Sequence, residues 1–296
     1  MAGAVVLSRE LKKLMNGALR ESRNVLPVSV VIPCYCCADT IKRAVVSIVS
    51  QTMLPAEVWL VDDASPDGGK TLDVLYALRD QYEDTAYFEV ISLAANGGPS
   101  VARNAAWDRA TQPFLAFLDA DDACHPKKLE IQYGWMALNP SVAITGHSIA
   151  RLDDARDFNI SSAPGLPDAQ PAWQVSPRRL LCMNYFPTRS VMLRLDLPYR
   201  FDPTKRRSED YLLWLLILFA GYPAWRLELP LAWTFKAPYG ESGLTGELWE
   251  MEKGELDTYK RVYQLGHINA GVWCALLFYS FLKFGRRWLN CRLTGR

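Results

Sequence analysis

Between residues 28 and 118, short apolar runs alternate with stretches of helical period. Val28–Pro33 (VSVVIP) and Glu57–Val61 (EVWLV) are rich in β-branched residues and read as buried strands, and Phe88–Leu93 and Phe114–Leu118 repeat the pattern. Ile41, Ala44, Val45, Ile48 and Val49 fall on one helical face and predict a helix over 38–51. Leu72, Leu75, Leu78 and Tyr82 predict a second over 70–83, and a third follows over 100–111. Strands alternating with helices make βαβ units, hence an α/β fold with a Rossmann-like, mostly parallel sheet flanked by helices. Ligands of such sheets bind beyond the carboxyl ends of the strands. Two strands end in acidic residues, Asp62-Asp63 and Asp119-Ala120-Asp121-Asp122, so both clusters fall on the ligand edge.

After residue 126 the rhythm breaks. Helices are predicted over 126–138, 176–184, 208–221 and 247–265, with strands at Ser190–Leu193 and within 224–235. Residues 151–175 lack a period and read as a long loop or irregular insertion. Ser208 stands where an N-cap is expected, with Glu209 and Asp210 in the first turn and Gly221 closing the helix. The chain divides into an N-terminal amphipathic helix (1–24), a domain over 25–246 with halves 25–138 and 139–246, and C-terminal helices over 247–296. Residues 268–284 (INAGVWCALLFYSFLKF) are nearly all apolar, yet shorter than the ~20 residues of a spanning helix. Arg286, Arg287 and Arg292 follow. Two readings stand: an interfacial helix touching a membrane through 268–288, or a helix packed on protein.

Composition narrows the class. Hydrophobic residues make up 50% and charged residues 22%, enough for a packed core. A formal charge of +1 without a basic run speaks against a nucleic-acid partner. The seven cysteines lack paired CxxC knuckles, which speaks against structural zinc and for thiols in a reducing compartment. The first residues lack the apolar core of a signal peptide. The expectation is a cytoplasmic protein, peripheral to the membrane if the C-terminal stretch touches it.

Three clusters carry candidate chemistry. The carboxylates of Asp119, Asp121 and Asp122 repel one another, and magnesium or manganese would relieve that repulsion through oxygen ligands and substrate phosphates. A helix-capping cluster before Pro126 is the alternative. Asp62-Asp63 suits acceptance from a nucleotide base or ribose, or an Asx-turn into Ser65-Pro66-Asp67-Gly68. In Gly97-Gly98-Pro99-Ser100, glycine lets backbone approach a ligand, Ser100 is a candidate cap, and Arg103 lies one turn further on. Neither GxGxxG nor GxxxxGK[ST] occurs, which excludes the usual dinucleotide oxidoreductases and P-loop NTPases.

The segments VSVVIPCYCCADTIKRAVVSIVSQ, VWLVDDASPDGG, NGGPSVARNAA and FLAFLDADD occur in that order over roughly residues 28–138, and Glu209-Asp210 follows. Together they resemble the inverting family-2 nucleotide-sugar glycosyltransferases of the GT-A fold. The resemblance implies a nucleotide diphosphate sugar, with uridine diphosphate as the family-level nucleotide, and a saccharide or lipid-linked acceptor. It places Pro33 and Tyr35 at the base, Asp62 on the base N–H with Asp63 beside it, Gly98 on the nucleotide sugar and Arg103 near the base and phosphates. It gives Asp121 to a manganese or magnesium ion, Asp119 to the ribose or a metal-bound water, Asp210 to the general base and Glu209 to an acceptor hydroxyl. Lys236, Tyr239 and Ser242 lie in a glycine-rich loop that would close over the diphosphate. The QxxRW motif of processive synthases is missing, which implies one sugar per encounter. A nucleotidyltransferase and an inactive nucleotide-sugar-binding scaffold are the alternatives. Pro33-Cys-Tyr-Cys-Cys disfavours the first, and intact Asp121 and Asp210 disfavour the second.

Overall fold

The computed structural model describes residues 25–152, 160–166, 171–235 and 248–293. The N-terminal helix expected over 1–24 and the loop holding Lys236, Tyr239 and Ser242 lie outside the described residues. The first half follows the predicted alternation: β1 (Val25–Cys34), α1 (Ile41–Val49), β2 (Leu54–Asp62), α2 (Lys70–Tyr82), β3 (Tyr87–Ser92), α3 (Pro99–Trp107) and β4 (Phe114–Phe117). The second half holds β5 (Ala123–Cys124), α4 (Lys128–Leu138), β6 (Ile144–Arg151), β7 (Ala172–Val175), α5 (Pro177–Cys182) and β8 (Met192–Arg194). It continues with α6 (Glu209–Phe219), β9 (Ala224–Thr234), α7 (Leu248–Gln264) and α8 (Ala270–Leu293).

One sheet unites the halves, in the order β3-β2-β1-β4-β8-β6-β9-β5, with β7 added beside β9. The first four strands are parallel, and β8 joins β4 antiparallel through Leu115↔Leu193. Beyond that junction β6 and β9 pair parallel, while β8, β5 and β7 run antiparallel to their neighbours. Alternate side chains of β1 and β2 enter opposite layers, as the period of two requires. Val31 and Val61 meet a layer built on Trp107, Phe117, Phe201 and Trp214. Val30, Ile32, Val58 and Leu60 meet Ile41, Val45, Ile48 and Leu75.

The structure corrects several expectations. Residues 151–175 read as a long loop or irregular insertion, yet they carry the end of β6, a 3-10 turn at Ile160–Ser162 and all of β7. Strand β6 pairs with β9 along most of its length, a long-range pairing with no local signature in an eight-residue run containing Thr, Gly, His and Ser. Ser208 precedes α6 but makes no side-chain cap. Its backbone is left-handed, at φ 54°, a conformation that costs a residue with a Cβ roughly 1–2 kcal/mol. Ser100 does not cap α3 either. That helix begins after Gly98, at φ 83°, and Ser100 Oγ donates to the Lys205 carbonyl at 3.2 Å.

Helix α8 is longer than the apolar stretch that signalled it and runs on through the arginines. It lies along α7, with Tyr263 and Trp273 stacked at 4.9 Å and Trp249 edge-on to Phe284 at 5.6 Å. Among the described residues, no helix is long and apolar enough to cross a membrane.

Candidate active site

The carboxyl ends of β1, β2 and β4 form one edge. At β1, Pro33 leads into Tyr35, which is 51% exposed. The corner behind it is fixed: Cys36 N donates to Ser65 Oγ at 2.9 Å, and Cys37 N to Thr71 Oγ1 at 3.1 Å. The two aspartates closing β2 are both buried and turn inward. Asp62 accepts from Ser65 N at 3.3 Å and from Ser65 Oγ at 2.5 Å, the Asx-turn arrangement. Asp63 accepts from Gly97 N at 2.8 Å and Gly98 N at 2.7 Å, holding the glycine loop against the strand end. Gly98 has φ 83°, a conformation that favours glycine, and a Cβ there would stand 2.9 Å from Arg206 Nη1, the movable end of a long side chain.

Beyond β4 the turn from Asp119 to Asp122 closes through Asp122 N and the Asp119 carbonyl at 3.1 Å. Arg103 is buried and bridges the halves. Its Nη1 meets Glu209 Oε1 at 2.8 Å and its Nη2 meets Asp119 Oδ1 at 3.1 Å. Arg189, on the turn Thr188–Ser190, faces the same carboxylates: Nη1 stands 2.9 Å from Asp122 Oδ2 and Nε 3.5 Å from Asp119 Oδ2. Lys128 Nζ holds the Arg189 carbonyl at 2.6 Å. Burial pushes the Asp122 carboxyl up to about 7, against the pull of Arg189. The Asp121 carbonyl is held by Arg43, whose guanidinium lies 3.8 Å from the centre of the Phe235 ring.

Asp210, the second residue of α6, lies beside this cluster. Thr188 Oγ1 donates to its Oδ2 at 3.0 Å, Asn184 Nδ2 approaches the same oxygen at 3.3 Å, and Tyr211 N donates to Oδ1 at 2.6 Å. Burial, with the Glu209 charge next to it, raises its carboxyl to about 6. Helix α6 is apolar nearly all round, and Tyr211, Trp214 and Leu215 sink into the core. That burial fixes where its first turn sits.

The structure thus brings Asp119, Arg103, Glu209 and Asp210 together and ties Asp63 to Gly98. Lys236 lies outside the described residues. Glu209, expected at an acceptor hydroxyl, is 8% exposed and engaged with Arg103. Sequence reasoning missed Arg43, Asn184, Thr188 and Arg189. Arg43 stands inside the first matching segment, but nothing local marks it as a partner of the acidic turn. Asn184, Thr188 and Arg189 lie outside the matching segments, and the packing of the two halves puts them beside the carboxylates. His125, next to the acidic turn, is structural: its Nε2 is 3.0 Å from the Pro164 carbonyl and its Nδ1 accepts from Lys127 N.

A divalent cation fits this donor set in one way. Both Asp119 oxygens face arginines, which leaves Asp121 as the candidate direct ligand and Asp119 a partner through water. No group of three or more metal-ligating side chains converges among the described residues. Mg²⁺ and Mn²⁺ sites that take one or two carboxylates complete their shell with substrate phosphates and water.

Comparison with known proteins identifies the family and the fold. Residues 29–203 match the Glycosyl transferase family 2 model. A Bacillus subtilis protein named as a teichuronic acid biosynthesis glycosyltransferase, TuaG, is 28% identical over 268 residues, spanning 90% of this chain and 97% of its own. The Escherichia coli UDP-Glc:alpha-D-GlcNAc-diphosphoundecaprenol beta-1,3-glucosyltransferase WfaP is 30% identical over 202 residues, 67% of this chain and 72% of its own. Among solved structures, the mannosyltransferase PcManGT of Pyrobaculum calidifontis, with GDP-Man and Mn2+, superposes with a TM-score of 0.62 at 16% identity, covering 97% of this chain and 84% of that one. Staphylococcus aureus TarS 1-349 superposes with a TM-score of 0.61 at 17% identity, covering 86% and 71%. The fold is GT-A-like, and with the family model matching more than half of its length the chain belongs to glycosyl transferase family 2 and is a sugar-transferring enzyme.

Proposed function

We propose that the protein transfers one hexosyl group from a uridine diphosphate sugar to a hydroxyl of a saccharide or lipid-linked acceptor, with inversion at the anomeric carbon. The setting would be cell-surface polysaccharide or glycolipid synthesis on the cytoplasmic side, where the donor is made. The observation that carries this reading is the Asp119–Arg103–Glu209 bridge, which sets Asp210 next to the acidic turn. Two relatives lend support: TuaG is named for teichuronic acid synthesis, and WfaP for a UDP-sugar donor and a diphosphoundecaprenol acceptor.

In this reading Tyr35 and Pro33 bound the base, and the Gly97-Gly98 backbone, pinned by Asp63, borders the donor. Asp121 would hold manganese or magnesium, which when bound supplies positive charge to the diphosphate. Asp210 takes the proton of the acceptor hydroxyl as its oxygen bonds to the anomeric carbon. The bond from that carbon to the β-phosphate oxygen breaks, and the nucleoside diphosphate departs with its electron pair. A carboxyl near 6 is ionised at neutral pH yet more basic than an ordinary aspartate. Asn184 and Thr188 hold Oδ2 in place, and Glu209 positions the helix start through Arg103.

Thermal unfolding in the presence of nucleotide diphosphate sugars, with and without manganese, tests the donor half. One donor should raise the unfolding temperature of the wild type only with manganese, and Asp121→Ala should abolish the shift. A metal-independent shift retained in the variant would remove Asp121 from the site.

A further inference from the structure

Helix α8 is amphipathic in the reverse sense. The side turned to the protein carries the polar groups. Ser280 Oγ donates to Glu252 Oε1 at 2.7 Å, Arg287 Nη2 lies 2.9 Å from Glu252 Oε2, and Lys283 pairs with Glu255. Ser280 and Glu252 are fully buried. The side turned outward carries Phe278, Phe281, Leu282 and Leu289, which are 68%, 49%, 57% and 53% exposed. At about 100° per residue these four fall within an arc of about 100°, and Leu276, Ser280, Lys283 and Arg287 fall opposite. A helix in water buries its apolar arc and exposes its charges. This one turns four large apolar side chains outward and Ser280, Lys283 and Arg287 inward. Single exposed apolar residues are ordinary, whereas a contiguous stripe of this kind marks an interaction surface. Trp249 of α7, 48% exposed and against Phe284, widens the stripe.

We propose that this face lies in the surface layer of an anionic phospholipid bilayer, with α8 parallel to the membrane plane. Charge argues for that occupant. Helix α8 contains Lys283, Arg286, Arg287 and Arg292 and no acidic residue over its 24 positions. Arg286, exposed, borders the apolar arc, where it would reach phosphate headgroups. Tyr279 and Trp288, 42% and 41% exposed, flank the arc, as side chains with an apolar body and a polar tip do at interfaces. For a second copy of the chain packed on this face, α8 itself offers no acidic residue to pair with the exposed Arg286. Helix α7, which anchors α8, also holds Lys205 of the loop before α6, through the Gly254 carbonyl at 2.8 Å and Asp257 at 2.8 Å. Docking through α8 would therefore tether the acceptor half to the lipid surface.

Co-sedimentation of the full chain with vesicles tests this without reference to sugar transfer. The probes are vesicles of phosphatidylcholine alone and of phosphatidylcholine mixed with phosphatidylglycerol. The wild type should sediment with the mixed vesicles and far less with the neutral ones. The Phe278→Ser/Phe281→Ser/Leu282→Ser variant should lose at least ten-fold in partitioning while keeping the wild-type unfolding temperature. Arg286→Glu, which leaves the apolar stripe intact, should lose at least five-fold on the mixed vesicles alone. Wild-type protein that ignores both vesicles would overturn the proposal. So would variants that bind as wild type, or a wild-type dimer that the triple substitution converts to monomer.

Discussion

Arg103 Nη1 lies 2.8 Å from Glu209 Oε1, joining a helix of the first half to the first residue of α6 in the second. Both side chains are almost fully buried, and the same guanidinium also holds Asp119. Removing one partner of a buried pair strands the other charge, which typically costs about 3–5 kcal/mol. Arg103→Met should therefore lower unfolding free energy by roughly that amount in a urea titration. Adding Glu209→Gln should return part of the loss, since a neutral amide needs no counter-charge. A single-variant loss within error of zero would show that the bridge contributes nothing to stability.

Asp63 holds Gly97 N and Gly98 N in the folded chain. Asp63→Ala leaves the buried Gly98 N–H without its acceptor, at a cost of about 1–3 kcal/mol. The glycine loop should loosen, so donor KM should rise several-fold while kcat changes little. Steady-state kinetics on the variant separates the two, and a fall confined to kcat would contradict the assignment of this loop to donor binding.

The carboxyl of Asp210, raised to about 6, fixes the acid limb of the rate profile. A general base works ionised, so transfer should rise with pH through about 6 and level off above it. The same shift has a stability consequence of opposite sense. A carboxyl whose folded value lies above its unfolded value of about 3.9 stabilises the fold below that pH. The contribution is lost as pH rises through about 6. Chemical unfolding between pH 4 and 7 should therefore show wild type losing stability relative to Asp210→Asn as pH rises. A gain in that window would reverse the sign and the reading.

Much of the first half was legible because its signals are local. Four apolar runs, three helical periods and acidic strand ends dictate a βαβ sheet with its ligand edge at Asp62 and Asp119. The second half was less so. Strand β6 depends on pairing with β9, far along the chain, and the eight residues Ile144–Arg151 carry no alternation that announces it. The candidate site divides the same way. Asp119, Asp121 and Asp210 stand in motifs, but Arg189 and Asn184 are ordinary residues in sequence and meet the carboxylates only because β8 docks antiparallel on β4. Asp62 and Asp63 show the converse, since two motif aspartates direct their oxygens to turns of the protein itself. The apolar run at 268–284 was visible, but not which side of it faces outward. That depended on Glu252 and Glu255 of α7 drawing Lys283 and Arg287 inward.

Nucleoside diphosphate release from the stabilising donor, with manganese and with water as the only acceptor, tests the central claim most directly in wild type, Asp121→Ala and Asp210→Asn. The account predicts measurable release by wild type and none by Asp121→Ala. It predicts a loss of about 10²–10⁴-fold in Asp210→Asn, with that variant still showing the donor-induced thermal shift. Wild-type release by Asp210→Asn would contradict the assignment of Asp210 as the base.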